Sequence, residues 1–67
     1  MKKGEIGEVL KMRRNFLNIT QKDLSDISGV ALRKLIDIEN GKANPTLGTL
    51  IKLFDVLGLS LKVEVKL

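Results

Sequence analysis

The sequence predicts a mostly α domain of four to five short helices, with one C-terminal β-strand that pairs across a dimer. Three observations predict it. Apolar residues recur at helical spacing from Ile6 to Leu57. Gly29, Asn40-Gly41 and Gly58 cut that pattern into short pieces, as helix-ending residues do. The last nine residues then switch to a strict period of two. Residues 1–58 are therefore read as the helical domain and 59–67 as a dimerisation strand.

A chain of 67 residues makes one small domain. A domain of this size buries only roughly 60% of its unfolded surface, so a staple is expected. With no cysteine and no histidine, disulfides and soft-metal sites are excluded, and oligomerisation remains. Apolar residues make up 43% of the chain and aromatics 3%, so the core must be aliphatic. No apolar run approaches the ~18 residues of a membrane span, and Met1-Lys2-Lys3 does not lead into a signal-type core. A cytoplasmic protein without membrane attachment is expected. Nor is there a nucleophile–base pair, a Gly-rich phosphate loop or a metal-ligand spacing, so neither an enzyme nor a cofactor is expected.

The net charge is +4 and unevenly spread. Residues 1–34 hold eight Lys/Arg against four Asp/Glu, whereas residues 35–67 hold four against four. Solubility is one reading. A basic stripe for phosphates is the sharper one.

Residues 5–16 read as the first helix, with Ile6, Val9, Leu10, Arg13 and Leu17 near one face. Glu5 and Glu8 begin it, and Arg13 and Arg14 end it, as the helix dipole prefers. Phe16, Leu17 and Ile19 in the following connection are expected to turn inward. Thr20 with Asp23 makes a capping-box start for a helix of about two turns whose inner face is Leu24 and Ile27. Gly29 stops it, Val30 re-enters the core and Ala31 opens the next helix. There Leu35 and Ile38 point inward and Arg33, Lys34 and Asp37 outward, with Leu32 and Ile36 on or beside the outer face. Asn40-Gly41 ends this helix. After the loop 42–45, Thr46 caps a fourth helix with Leu47, Leu50, Ile51, Leu53, Phe54 and Leu57 as its apolar stripe. Gly48 in its first turn is unexplained.

Leu59, Leu61, Val63, Val65 and Leu67 alternate with Ser60, Lys62, Glu64 and Lys66. This is the only strand pattern in the chain, and a lone strand leaves its N–H and C=O groups without partners. Met1-Lys2-Lys3 is too short and polar to supply them, so a second copy of the same strand is the simplest answer.

Two helices joined by a short Gly-containing turn are the general mark of a helix-turn-helix. Thr20-Gln21-x-x-Leu24, Gly29-Val30, Ile38-Glu39-Asn40-Gly41-Lys42 and Asn44-Pro45-Thr46-Leu47-x-Thr49-Leu50 resemble the phage-repressor or Xre type. The likeness covers about residues 6–59 and implies a repressor-like DNA-binding domain. The final strand, entered through Leu57-Gly58-Leu59, resembles the small HipB-type antitoxin regulators, whose C-terminal strands pair across a dimer.

By that resemblance Gln21 touches backbone phosphate and packs on the recognition helix, and Leu32, Arg33, Lys34 and Asp37 lie where bases are read. Arg33 can hold guanine O6 and N7 together; Lys34 suits phosphate or a single guanine contact. Asp37 can accept from cytosine N4 or pair with Arg33 four residues back. Leu32 can touch a thymine methyl or fill an apolar seam. Asn40 and Lys42 resemble phosphate contacts, although Asn40-Gly41 also reads as a plain C-cap. Arg14 and Glu39 match a family ion pair of structural role. Ala31 departs from the pattern, since Ser or Thr usually caps the recognition helix there; the loss is worth ~1 kcal/mol.

The expected function is a homodimeric repressor on a palindromic double-stranded operator. Resemblance to HipB-type proteins adds a kinase-like toxin as partner and repression of its own operon. A stand-alone repressor is the near alternative. A protein-interaction module that has lost DNA binding is the distant one, suggested by Ala31, Leu32 and Ile36.

Overall fold

A computed structural model describes residues 2–66. Among the described residues there are four helices, α1 (Lys3–Phe16), α2 (Gln21–Ser28), α3 (Leu32–Glu39) and α4 (Leu47–Leu57). Helix α1 packs on α3 and α4, and α2 packs on the same two. Their shared interior is aliphatic apart from one ring: Leu10, Leu24, Val30, Leu35, Ile38, Leu50, Leu53, Phe54 and Leu57 are all buried. Ile6, Ile19, Ala43, Val56 and Leu59 close its edges.

Local chemistry sets the helix starts. The Thr20 hydroxyl accepts from Asp23 N–H at 3.0 Å and the Asp23 carboxylate accepts from Thr20 N–H at 3.1 Å, a reciprocal capping box. The Thr20 backbone N–H, and after it the Thr20 side chain, hold the Asp23 carboxyl below its usual range. Thr46 caps α4 through Thr49 N–H at 3.2 Å. Ala31, at the N-cap of α3, has no side-chain bond to offer.

Three helices end in one way. The N–H of Ile19 reaches Arg14 O, that of Lys42 reaches Asp37 O, and that of Leu59 reaches Phe54 O. Each bond spans five residues and follows a left-handed residue, Asn18 (φ 57°), Gly41 (φ 72°) or Gly58 (φ 70°). This is the Schellman ending, which satisfies carbonyls the helix leaves open. Helix α2 stops at Gly29 (φ 78°). The turn after it is tied by Ser25, whose hydroxyl donates to Val30 O at 2.6 Å, and by Ser28, whose hydroxyl accepts from Val30 N–H.

Helix α1 meets α3 closely at Gly7. A Cβ there would stand 2.4 Å from the Ile38 carbonyl oxygen and 2.6 Å from that of Glu39. Only hydrogen at this position lets α1 lie directly on the end of α3.

Four expectations are corrected. Helix α1 begins at Lys3 rather than residue 5. Phe16 and Leu17 do not turn inward: Phe16 is 74% exposed and Leu17 is also exposed. At roughly 100° per residue, Phe16 falls ~120° round α1 from Leu10, beside Val9 and Met12 on the solvent side. Ile27 is 65% exposed, because the inner arc of α2 is Gln21, Leu24, Ser25 and Ser28, all at least half-buried. The strand expected over 59–67 is not formed among the described residues: 59–66 are neither helix nor strand, and residue 67 lies outside them. A strand needs a ladder, and no described segment of this chain offers a second edge.

Candidate nucleic-acid interface

Helix α3 has two unlike faces. Leu35, Ile38 and Glu39 are buried, while Leu32, Arg33 and Lys34 are exposed. The inner face is fixed by a buried carboxylate. Glu39, whose side chain has no exposure, accepts from Arg14 Nε at 2.7 Å and Arg14 Nη2 at 2.9 Å. It also accepts from Gln21 Nε2 at 3.2 Å, while Arg14 Nη1 donates to Ile19 O at 2.9 Å. The two-pronged bond to Glu39 raises the Arg14 guanidinium above its ordinary value. A charge out of water is costly unless paired and hydrogen-bonded. Here it joins the end of α1, the start of α2 and the end of α3 at one point, as the family ion pair implied for Arg14 and Glu39.

On the outer face Arg33 Nη2 donates to Asp37 Oδ1 at 2.8 Å, four residues along. Of the two readings open for Asp37, the intrahelical pair is thus formed. The bond from Arg33 holds the Asp37 carboxyl below its usual range, and the same bond raises Arg33. Both stay charged at neutral pH. The pair uses one of five guanidinium donors, so the fork keeps donors for a guanine edge. Lys34 has no ion-pair partner among the described residues. Leu32 is 38% exposed at the start of the helix.

Asn40 and Lys42 are exposed just beyond α3. Their backbone N–H groups are taken by Ile36 O and Asp37 O, which leaves their side chains to meet a ligand. The C-cap reading of Asn40-Gly41 therefore holds, with the side chains still available. Gln21 is half-buried and bonded to Glu39, so it packs on α3 as the resemblance implied. Among the predicted site residues, Gln21 and Leu32 to Lys42 are brought together on α2, α3 and the loop after it. Leu59, Leu61, Val63 and Val65 are not part of that face. Leu59 packs at the core edge, Leu61 and Val63 are exposed beside α4, and Val65 is exposed.

One contribution was missed in the sequence. A Cβ on Gly41 would stand 3.3 Å from Gly4 Cα, so the start of α1 abuts the end of α3. Lys2 and Lys3 immediately precede Gly4 at that contact. The basic excess of residues 1–34 was the available signal, but nothing local tied its first two lysines to this place. Among the described residues no cluster of Asp and Glu can hold a metal ion.

The helix-turn-helix model matches residues 10–63, from the middle of α1 through α2, the Gly29 turn, α3 and α4 into the C-terminal segment. The chain belongs to the helix-turn-helix family. In this helix-turn-helix protein α2 is the supporting helix, α3 the outward-facing second helix, and the Glu39 junction holds the two together. An uncharacterized HTH-type transcriptional regulator of Sinorhizobium fredii is 30% identical over 60 residues, 90% of this chain and 79% of the relative. Another of Haemophilus influenzae is 41% identical over 58 residues, 87% of this chain. This chain spans only 58% of that second relative's length. No helix among the described residues is long and apolar enough to cross a membrane.

Proposed function

We propose that this helix-turn-helix protein is a sequence-specific DNA-binding transcriptional regulator, a repressor that lays α3 in the major groove. One observation carries the reading: α3 presents Arg33 and Lys34 outward from a helix-turn-helix locked on its inner side by Arg14, Glu39 and Gln21. Arg33 is the principal base contact, with Leu32, Lys34 and Asp37 at its sides. Gln21, Asn40 and Lys42 hold the phosphate backbone. The names of the two bacterial relatives support a regulatory role. The protein acts in the cytoplasm and has no catalytic step of its own.

It works as a homodimer paired through residues 59–67, setting two α3 helices about one helical turn (~34 Å) apart on a palindromic site. Its likeness to HipB-type proteins supports a narrower role, the antitoxin and autorepressor of a HipBA-like operon with a kinase-like toxin as partner. Mass spectrometry of what co-purifies with the protein separates that role from a stand-alone repressor.

Selection of bound fragments from random DNA tests the core reading. A half-site motif should emerge, and Arg33→Ala should relax it at one position at a loss of ~1–3 kcal/mol in binding. Unchanged site preference in that variant would remove α3 as the reader. The exposed Leu32 beside the uncapped Ala31 favours one other reading, an apolar protein-docking helix. Affinity for DNA should fall steeply with salt; an apolar contact would barely respond.

A further inference from the structure

Helix α4 keeps part of its apolar stripe in solvent, since Leu47 is 58% and Ile51 46% exposed. Together with Phe54 and the departing Leu59, Leu61 and Val63, they line a groove of about 370 Å³. The same segment leaves Val63 95% and Val65 87% exposed. The chain thus carries an apolar groove and, next to it, an alternating segment with no ladder partner among the described residues.

A two-fold antiparallel pairing of this segment can take only a few registers, and side chains choose among them. Residues directly opposite lie on one face of the pair, so apolar must meet apolar and the pairing must centre on a residue, not between two. Centring on Lys62 sets Lys62 against Lys62. Centring on Glu64 sets Glu64 against itself and Lys62 against Lys66 twice. Centring on Leu61 opposes no charges. Centring on Val65 opposes Glu64 and Lys66 but leaves Leu59 to Lys62 without a ladder. Centring on Val63 alone sets Lys62 against Glu64 twice, Leu61 against Val65 twice, and keeps residues 60–66 paired throughout.

We infer that two copies of this chain pair through residues 60–66 in the antiparallel register centred on Val63, with Lys62 of each opposite Glu64 of the other. The inference rests on the dimer reading above and specifies the partner surface that reading leaves open. In this register each copy lays Val63 and Val65 beside the other's Leu61 and Val63. The joined apolar face then covers the groove formed by Leu47, Ile51 and Phe54, and Lys62 and Glu64 stay on the watery face. The strand forms on association, and none is present among the described residues of a single chain. Like charges directly opposite are destabilising, so the register also excludes its neighbours.

A charge-swap series on the full chain, read by sedimentation at low salt and without DNA, tests it. Lys62→Glu alone and Glu64→Lys alone should each weaken the dimer on the order of tenfold, because two attractive pairs become two repulsive ones. The double variant Lys62→Glu/Glu64→Lys should recover the wild-type dimer. Equimolar mixing of the two single variants should yield heterodimers in preference to either homodimer. Both variants are on exposed positions, and circular dichroism reports whether each still folds. Single variants that dimerise like wild type would overturn the register while leaving the dimer standing. A wild-type chain monomeric at every concentration would overturn the dimer itself, and the register with it.

Discussion

Gly7→Ala puts one methyl group where α1 meets the end of α3, and it should unfold the domain at a much lower temperature. The new Cβ would lie 2.4 Å and 2.6 Å from two backbone carbonyl oxygens, of Ile38 and Glu39. Carbon–oxygen contacts settle near ~3.3 Å or beyond, so the helices must separate by close to ~1 Å. No flexible side chain can give way, because both obstacles are backbone. In an open helix the same change would stabilise by ~0.5–1 kcal/mol through lower unfolded-state entropy. Overpacking typically costs ~1–3 kcal/mol, and a backbone obstacle belongs at the upper end. The net loss is therefore about 2 kcal/mol. For a domain of this size each kcal/mol moves Tm by roughly 4–8 °C, so thermal melting by circular dichroism should fall by about 8–16 °C. Gly4→Ala, three residues earlier on α1 with nothing within 4 Å of its Cβ, is the control and should not lower Tm. A Gly7→Ala protein as stable as wild type would show that α1 does not lie on α3 as described. Because association raises apparent stability, all melts need one protein concentration.

Three further perturbations address the remaining elements. Arg14→Met leaves the Glu39 carboxylate buried with only Gln21 as donor, and breaking such a pair costs ~3–5 kcal/mol; urea unfolding should show the chain largely unfolded in buffer. Ala31→Ser supplies the missing cap of α3 and should add ~0.5–2 kcal/mol in the same assay. Asp23 and Asp37 both have folded pKa values below the ordinary one. Their stabilisation is therefore complete above that ordinary value, near 3.8, and is lost as pH falls through the lower folded values. Tm should hold steady from about pH 7 to 5 and drop below 4, and Asp23→Asn should both lower the plateau and flatten the drop.

How much of this was legible in the sequence depends on how local each determinant is. Thr20 with Asp23, Thr46 and Gly58 act within one helical turn, and the structure realises them as read. The inward Leu35 and Ile38 and outward Arg33 and Lys34 were equally legible, because α3 has a sharply divided pattern. Phe16 and Ile27 were not. Spacing says which residues share an arc, but not which arc faces a neighbour. Phe16 shares the outer arc of Val9 and Met12, and Ile27 lies off the inner arc of Gln21, Leu24, Ser25 and Ser28. Gly7 could not be read at all, since its meaning lies in Ile38 and Glu39, more than thirty positions away. The alternation of 59–67 predicts a strand that 59–66 do not form, because period two says nothing of where a ladder comes from and no other described segment offers one.

The Glu39 junction has a practical consequence for altering what this domain recognises. Every bond that orients α3 leaves from its inner side, through Leu35, Ile38 and Glu39. Among the described residues the exposed Leu32, Arg33 and Lys34 and the half-buried Asp37 bond to nothing beyond their own helix except through Lys42 N–H and Asp37 O. If α3 reads bases as proposed, a library randomised at those four positions would vary the reading surface without disturbing the frame that aims it. Retargeting would then be a question of exchanging four side chains on a fixed mount.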